Sequence, residues 1–165
     1  MDLLKFAQQI ASDQASIPEL KNSSDETLYD ACAQLSIHHT ELAIVMEELL
    51  LNAREHGQKS PRLFLGTKNG HLYFAVSDLG TGIHDMLPKN PKLSDIRGKA
   101  TAALLRLACE EGITGTATAG RGVGLFLLAR YCAKNSAEAL LWANGGILHI
   151  NGQQFHELLG PTSID

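Results

Sequence analysis

Several features that would assign a chain at once are missing from this one. No run of about 18 apolar residues occurs, so no membrane-spanning helix is expected. Residues 1–20 carry no signal-peptide pattern, which points to a cytoplasmic protein. Basic residues do not outnumber acidic ones. The formal charge of −4 offers no general attraction to nucleic acid or to an anionic membrane, and neither is expected as a partner. Cysteine is scarce: Cys32, Cys109 and Cys132 are odd in number, widely spaced, and set in apolar, helix-like surroundings. That favours reduced, buried thiols over a disulfide framework or a zinc site. A Gly-Lys-Ser/Thr phosphate loop is absent, as are internal repeats, low-complexity tracts and domain linkers.

What is present is a chain of 165 residues, 44% hydrophobic and 19% charged, the balance of one soluble globular domain over 1–165. Its organising stretch is a predicted helix from about Thr40 to His56. Leu42, Val45, Met46, Leu49 and Ala53 recur at helical spacing, Thr40 is placed to cap the start, and Gly57 suits the end. Glu48 and Asn52 are four residues apart and so share one face, which Glu55 and His56 extend. Taken alone, this reads as a surface helix with ordinary solvated polar residues.

Upstream, residues 2–12 and 26–35 read as short helices around a polar loop at 15–25. The adjacent His38 and His39 would point apart on a helix, which argues against a shared metal. Downstream, 62–67 and 71–77 alternate around Asn69-Gly70, a hairpin signal, with Leu63 and Leu65 on one face and Leu72, Phe74 and Val76 on another. The segment 84–119 holds Pro88, Pro91, several cations and several threonines. It reads as a long insertion of the lid type, with few local contacts and one helix over 99–110. A helix from Gly120 to about Lys134 follows. Two strands at 137–143 and 147–150, joined at Asn144-Gly145-Gly146, come next, then a turn at Asn151-Gly152 and a last strand over 153–159.

Two glycine-rich stretches change the reading of the central helix. Asp78-x-Gly80-x-Gly82-Ile83 closes the hairpin, and Gly120-Arg121-Gly122-Val123-Gly124-Leu125 opens a helix. Each alone is weak, and the second lacks the spacing of a dinucleotide fingerprint. With Glu48-x-x-x-Asn52-Ala53-x-x-His56-Gly57 before them, the three in order resemble the N box and two glycine boxes of the GHKL (Bergerat-fold) ATPases. The resemblance covers about 40–150. The Asn-Ala-x-x-His-Gly ending is similar to the stand-alone branch, the anti-sigma-factor serine kinases. The chain departs from the family in having no clear threonine match after Trp142 and a longer lid than the compact members.

The resemblance implies an α/β two-layer sandwich, a mixed β-sheet with helices on one face, with the ATP lid at about 84–119. It implies ATP or ADP as ligand and Mg²⁺ as cofactor. Asp78 would be a buried carboxylate accepting from the adenine amino group, with Gly80, Gly82 and Ile83 beside the base. Asn52 would offer Mg²⁺ an oxygen, and Glu48 would orient or deprotonate a nucleophile. His56 belongs to the same box. Gly120, Gly122 and Gly124, with Val123 and Leu125, would present backbone N–H groups to phosphates at a helix start. Arg121 or Lys99 would add positive charge; the sequence does not choose between them. The expected function is an ATP/Mg²⁺-dependent protein kinase or slow ATPase in a regulatory switch with a protein partner. The alternative is a nucleotide-gated interaction module with little turnover. A homodimer is compatible with either.

Overall fold

Helical spacing of apolar residues produces the central helix where it is expected. In the computed structural model of the protein, helix α1 runs Thr40–His56. Glu41 lies in its first turn and Arg54 and His56 in its last, complementing the helix dipole. Its buried stripe is Leu42, Ala43, Val45, Met46, Leu50 and Ala53. Leu50, not Leu49, is buried at the end of the third turn, and Leu49 is half-buried. The structure describes residues 40–56, 61–68, 71–78, 80–115, 123–143 and 145–159. The predicted helices at 2–12 and 26–35, the loop between them, His38, His39, Cys32, Gly57 and the Asn69-Gly70 turn lie outside these residues. The chain divides into two compact units, 1–80 and 81–165.

In the first unit, β1 (Arg62–Lys68) and β2 (His71–Ser77) form an antiparallel hairpin, and α1 contacts β2. The register pairs Leu63 with Val76 and Leu65 with Phe74. Directly opposed residues of an antiparallel pair belong to one face. The two apolar sets therefore share a single face, which corrects the expectation of two. The reading by alternation within each strand had no register to join them.

In the second unit a short helix α2 (Ile83–Met86) leads into 3-10 turns at Leu87–Lys89 and Pro91–Ile96, the latter kinked at Leu93. Helix α3 (Thr101–Ala108) and helix α4 (Gly124–Asn135) follow. Then β3 (Glu138–Ala143), β4 (Gly146–Asn151) and β5 (Gln154–Leu159) form an antiparallel meander in the order β3-β4-β5. Both α3 and α4 pack on this sheet. Leu148 and Ile150 of the central strand are completely buried. The fold is thus α/β, with helices on a three-stranded antiparallel sheet. Every strand pairing among the described residues is antiparallel. Gly146 must be glycine: a Cβ there would lie 2.6 Å from the Ala102 nitrogen, where the sheet meets the start of α3.

The segment read as a loose insertion is largely helical where it is described. Leu87, Ile96, Leu104 and Ala108 form a buried cluster, with Ile83, Leu93, Leu107, Ile113 and Leu125 packed against it. Asn90 is buried and donates from its amide to the Thr114 carbonyl at 2.9 Å. The helix expected over 99–110 forms as α3, while the pieces before it are too short to show a period in sequence, and together they bury a common core. Leu104→Ala is expected to lower stability to urea by roughly 2–5 kcal/mol, as for other buried leucines. A loosely attached insertion would instead leave the unfolding midpoint unchanged.

Cys109 and Cys132 are free and buried, as expected. Burial pushes the Cys109 thiol from 9.0 to about 12, and the nearby Cys132 adds to the rise. Burial likewise raises Cys132 to about 11. Both groups favour the neutral thiol in the folded state, so their contribution is fully present below pH 9. Above it the unfolded chain loses the protons first, and stability falls as pH rises toward 11–12. Thermal melts should therefore show a falling midpoint over that alkaline window. The fall should be smaller in a Cys109→Ala variant, measured relative to its own midpoint at neutral pH.

Candidate functional site

The first unit brings together the end of the central helix and the start of the first glycine box. Glu48 and Asn52 lie half-buried, one turn apart on α1, and His56 closes the helix half-buried. Asp78 directly follows β2. Its Oδ1 accepts the Gly80 N–H at 2.7 Å, a turn that fixes the carboxylate against its own backbone. Gly80 is the point of contact. A Cβ there would overlap the carbonyl oxygen of His56 and lie 2.7 Å from Asp78 Oδ1. Only glycine lets the backbone after β2 lie against the last turn of α1.

Asp78 stands at the strand end as expected, but it is exposed, not buried. The strand ends at Ser77, itself exposed, so the chain has already left the packed part of the hairpin when it reaches the carboxylate. Its polar demand is met locally by Gly80 and by solvent access, so burial is not needed to hold it in place.

The other predicted site residues belong to the second unit. The Gly82 carbonyl accepts from the N–H groups of Asp85 and Met86 at 3.0 and 3.2 Å, and starts α2. A Cβ on Gly82 would meet nothing within 4 Å. Ile83 packs on the Leu87–Ile96–Leu104–Ala108 cluster, so it has a core role in this unit. Lys99 is exposed in the turn before α3, its N–H donated to the Ile96 carbonyl at 3.1 Å. Val123 precedes α4 without a side-chain cap, Gly124 opens the helix and is buried, and Leu125 packs on the same cluster as Ile83. The start of α4 is the positive end of its dipole, and Val123 has no side-chain oxygen to cap it. Gly120, Arg121 and Gly122 lie outside the described residues.

Sequence reasoning missed two supports of this unit. His84 Nε2 and Thr101 Oγ1 share a hydrogen bond of 2.7 Å, tying α2 to the buried start of α3. Gly115 lets the chain pass the Met86 carbonyl, which would stand 2.5 Å from a Cβ. Neither has a sequence signature, because each depends on a partner 17 or more residues away. Among the described residues no group of three or more His, Cys, Asp or Glu side chains is arranged to hold a metal. None of the described helices is long and apolar enough to cross a membrane.

Gly80→Ala is expected to cost at least about 1–3 kcal/mol in urea unfolding, since the displaced atoms are backbone. Gly82→Ala should change stability by no more than roughly 0.5 kcal/mol, as an open position allows. Equal effects would refute the contact between Gly80 and α1. No family model, curated protein or solved structure matches the chain.

Proposed function

We propose that the chain is a GHKL-type ATP-binding protein, an ATP/Mg²⁺-dependent protein kinase or slow ATPase working in a regulatory switch. In this reading residues 1–165 form one Bergerat-type domain, a two-layer sandwich with a mixed sheet. The observation that carries it is the close approach of Gly80 to the last carbonyl of α1. It supports the reading because Asp78, whose Oδ1 accepts from Gly80, and the helix that bears Glu48 and Asn52 meet in this approach; the motifs assign Asp78 to the base, Asn52 to the metal and Glu48 to catalysis.

The donor types fit the ligands. Asp78 is exposed and acceptor-only, able to receive an amino group such as that of adenine while Oδ1 keeps its bond to Gly80. The half-buried Asn52 offers an amide oxygen, which suits a hard cation that takes oxygen ligands and keeps several waters. Bound Mg²⁺ would neutralise phosphate charge. Glu48, one turn away, holds a carboxylate where it can orient or deprotonate a nucleophile. The resemblance assigns the phosphates to the glycine-rich stretch 120–124, with Lys99 or Arg121 as the added charge. The core role of α3 bears on the lid. Any nucleotide-dependent ordering within 84–119 is expected outside α3, whose buried residues belong to the core of the unit.

Calorimetry with ATP and Mg²⁺ tests the reading. Wild-type protein should bind, and Asp78→Asn should lose at least tenfold in affinity, about 1.4 kcal/mol. Glu48→Ala should keep binding but lose turnover in a single-turnover assay with labelled ATP. Equal affinity in the Asp78 variant would remove Asp78 from the adenine site. Undiminished turnover in the Glu48 variant would remove it from catalysis, and absence of turnover in the wild type would favour the interaction-module alternative.

A further inference from the structure

The three-stranded sheet carries a second polar constellation, remote in chemistry from oxygen-ligated Mg²⁺. His149 on β4 stands directly opposite His156 on β5. Glu138 on β3 is diagonal to His149 on the same face, since Leu140 is the direct partner of His149. That face is the opposite one from Phe155 and Glu157, which alternate with His156 and meet Arg106 of α3. His149 is partly exposed and His156 is exposed, so both rings are open to solutes. The two ring centroids are 5.8 Å apart and the planes tilt by 35°. His149 Nε2 lies 3.2 Å from Glu138 Oε2.

We propose that His149 and His156 form a two-nitrogen chelate for one borderline divalent transition ion, of the Ni²⁺, Cu²⁺ or Zn²⁺ kind. Two imidazoles bound to one tetrahedral ion at about 2.0–2.1 Å place their ring centres roughly 5 Å apart. Small side-chain rotations close the gap from the distance observed. The Glu138 bond selects the nitrogen. A carboxylate oxygen only accepts, so Nε2 of His149 carries the hydrogen, and in the neutral ring Nδ1 keeps its lone pair for a metal. Glu138 is then a positioning residue for a liganding imidazole and not a ligand itself, a common outer-sphere arrangement. With two protein ligands this is a smaller site than the three-residue groups that are absent among the described residues, and water fills the remaining positions. Imidazole donors select these ions over Mg²⁺ and Ca²⁺, so the inference stands independently of the proposed ATP site. The bound ion would clip β5 to the central strand, from which it receives all its described ladder pairing.

Tag-free full-length protein is titrated with Ni²⁺ by calorimetry in a non-chelating buffer, and melted thermally with and without the ion. The wild type should show one Ni²⁺ site and a raised midpoint with excess metal. His149→Ala and His156→Ala should each weaken that site at least tenfold and abolish the shift. Glu138→Gln should weaken it by about tenfold while both imidazoles remain. If His149→Ala fails to fold, the exposed His156→Ala still decides the matter. Absence of Ni²⁺ binding by the wild type, or affinity unchanged in His156→Ala, overturns the proposal.

Discussion

The absence of a side chain at Gly80 is the constraint on which the first unit depends. It lets the chain leaving β2 touch the last carbonyl of α1, and the Asp78 carboxylate then turns back onto the Gly80 N–H. One backbone approach therefore fixes a helix end, a strand end and the direction of a charged group. A hydrogen bond to an ionised acceptor is stronger than a neutral one, so the turn is well placed to hold its geometry at an exposed position.

Elements that declare themselves through local signals were legible in the sequence. The stripe on α1, the alternation around Asn69-Gly70 and the glycines between the last three strands each produced an element close to the expected bounds. What stayed hidden depends on partners far along the chain. The shared face of Leu63 and Val76 needs a register. Leu104 and Ala108 were readable on the apolar side of the expected helix, but the burial of Leu87 and Ile96 needs two shorter helical pieces to converge on it, and neither is long enough to show a period. Asp78 shows the same limit at the candidate site: its place after β2 was readable, but its exposure follows from where the packed hairpin ends. Ile83 and Leu125 carry motif positions and yet pack into one cluster, so part of what a motif preserves can be core and not contact with ligand.

The second unit shows how a polar, proline-containing segment can be structural. Asn90 and Thr101 are buried in it, and each has a hydrogen-bond partner, so their burial carries no uncompensated polar cost. The apolar side chains between them share a core with the start of α4 through Leu125. A change at the helix start that bears the second glycine box would therefore be felt in this cluster by direct packing.

The meander of β3, β4 and β5 has a kinetic consequence. Among the described residues each strand pairs only with its neighbour in sequence, across short connections, and α4 lies immediately before β3. These contacts close short loops and cost little chain entropy. Docking of α3 on β4 must instead span the whole of α4. The meander with α4 should therefore assemble early, leaving its helix-facing apolar residues uncovered until α3 arrives. During synthesis α3 leaves the ribosome first, so it must wait for its partner strand. The interval before β4 emerges is when the chain is most exposed to misassociation.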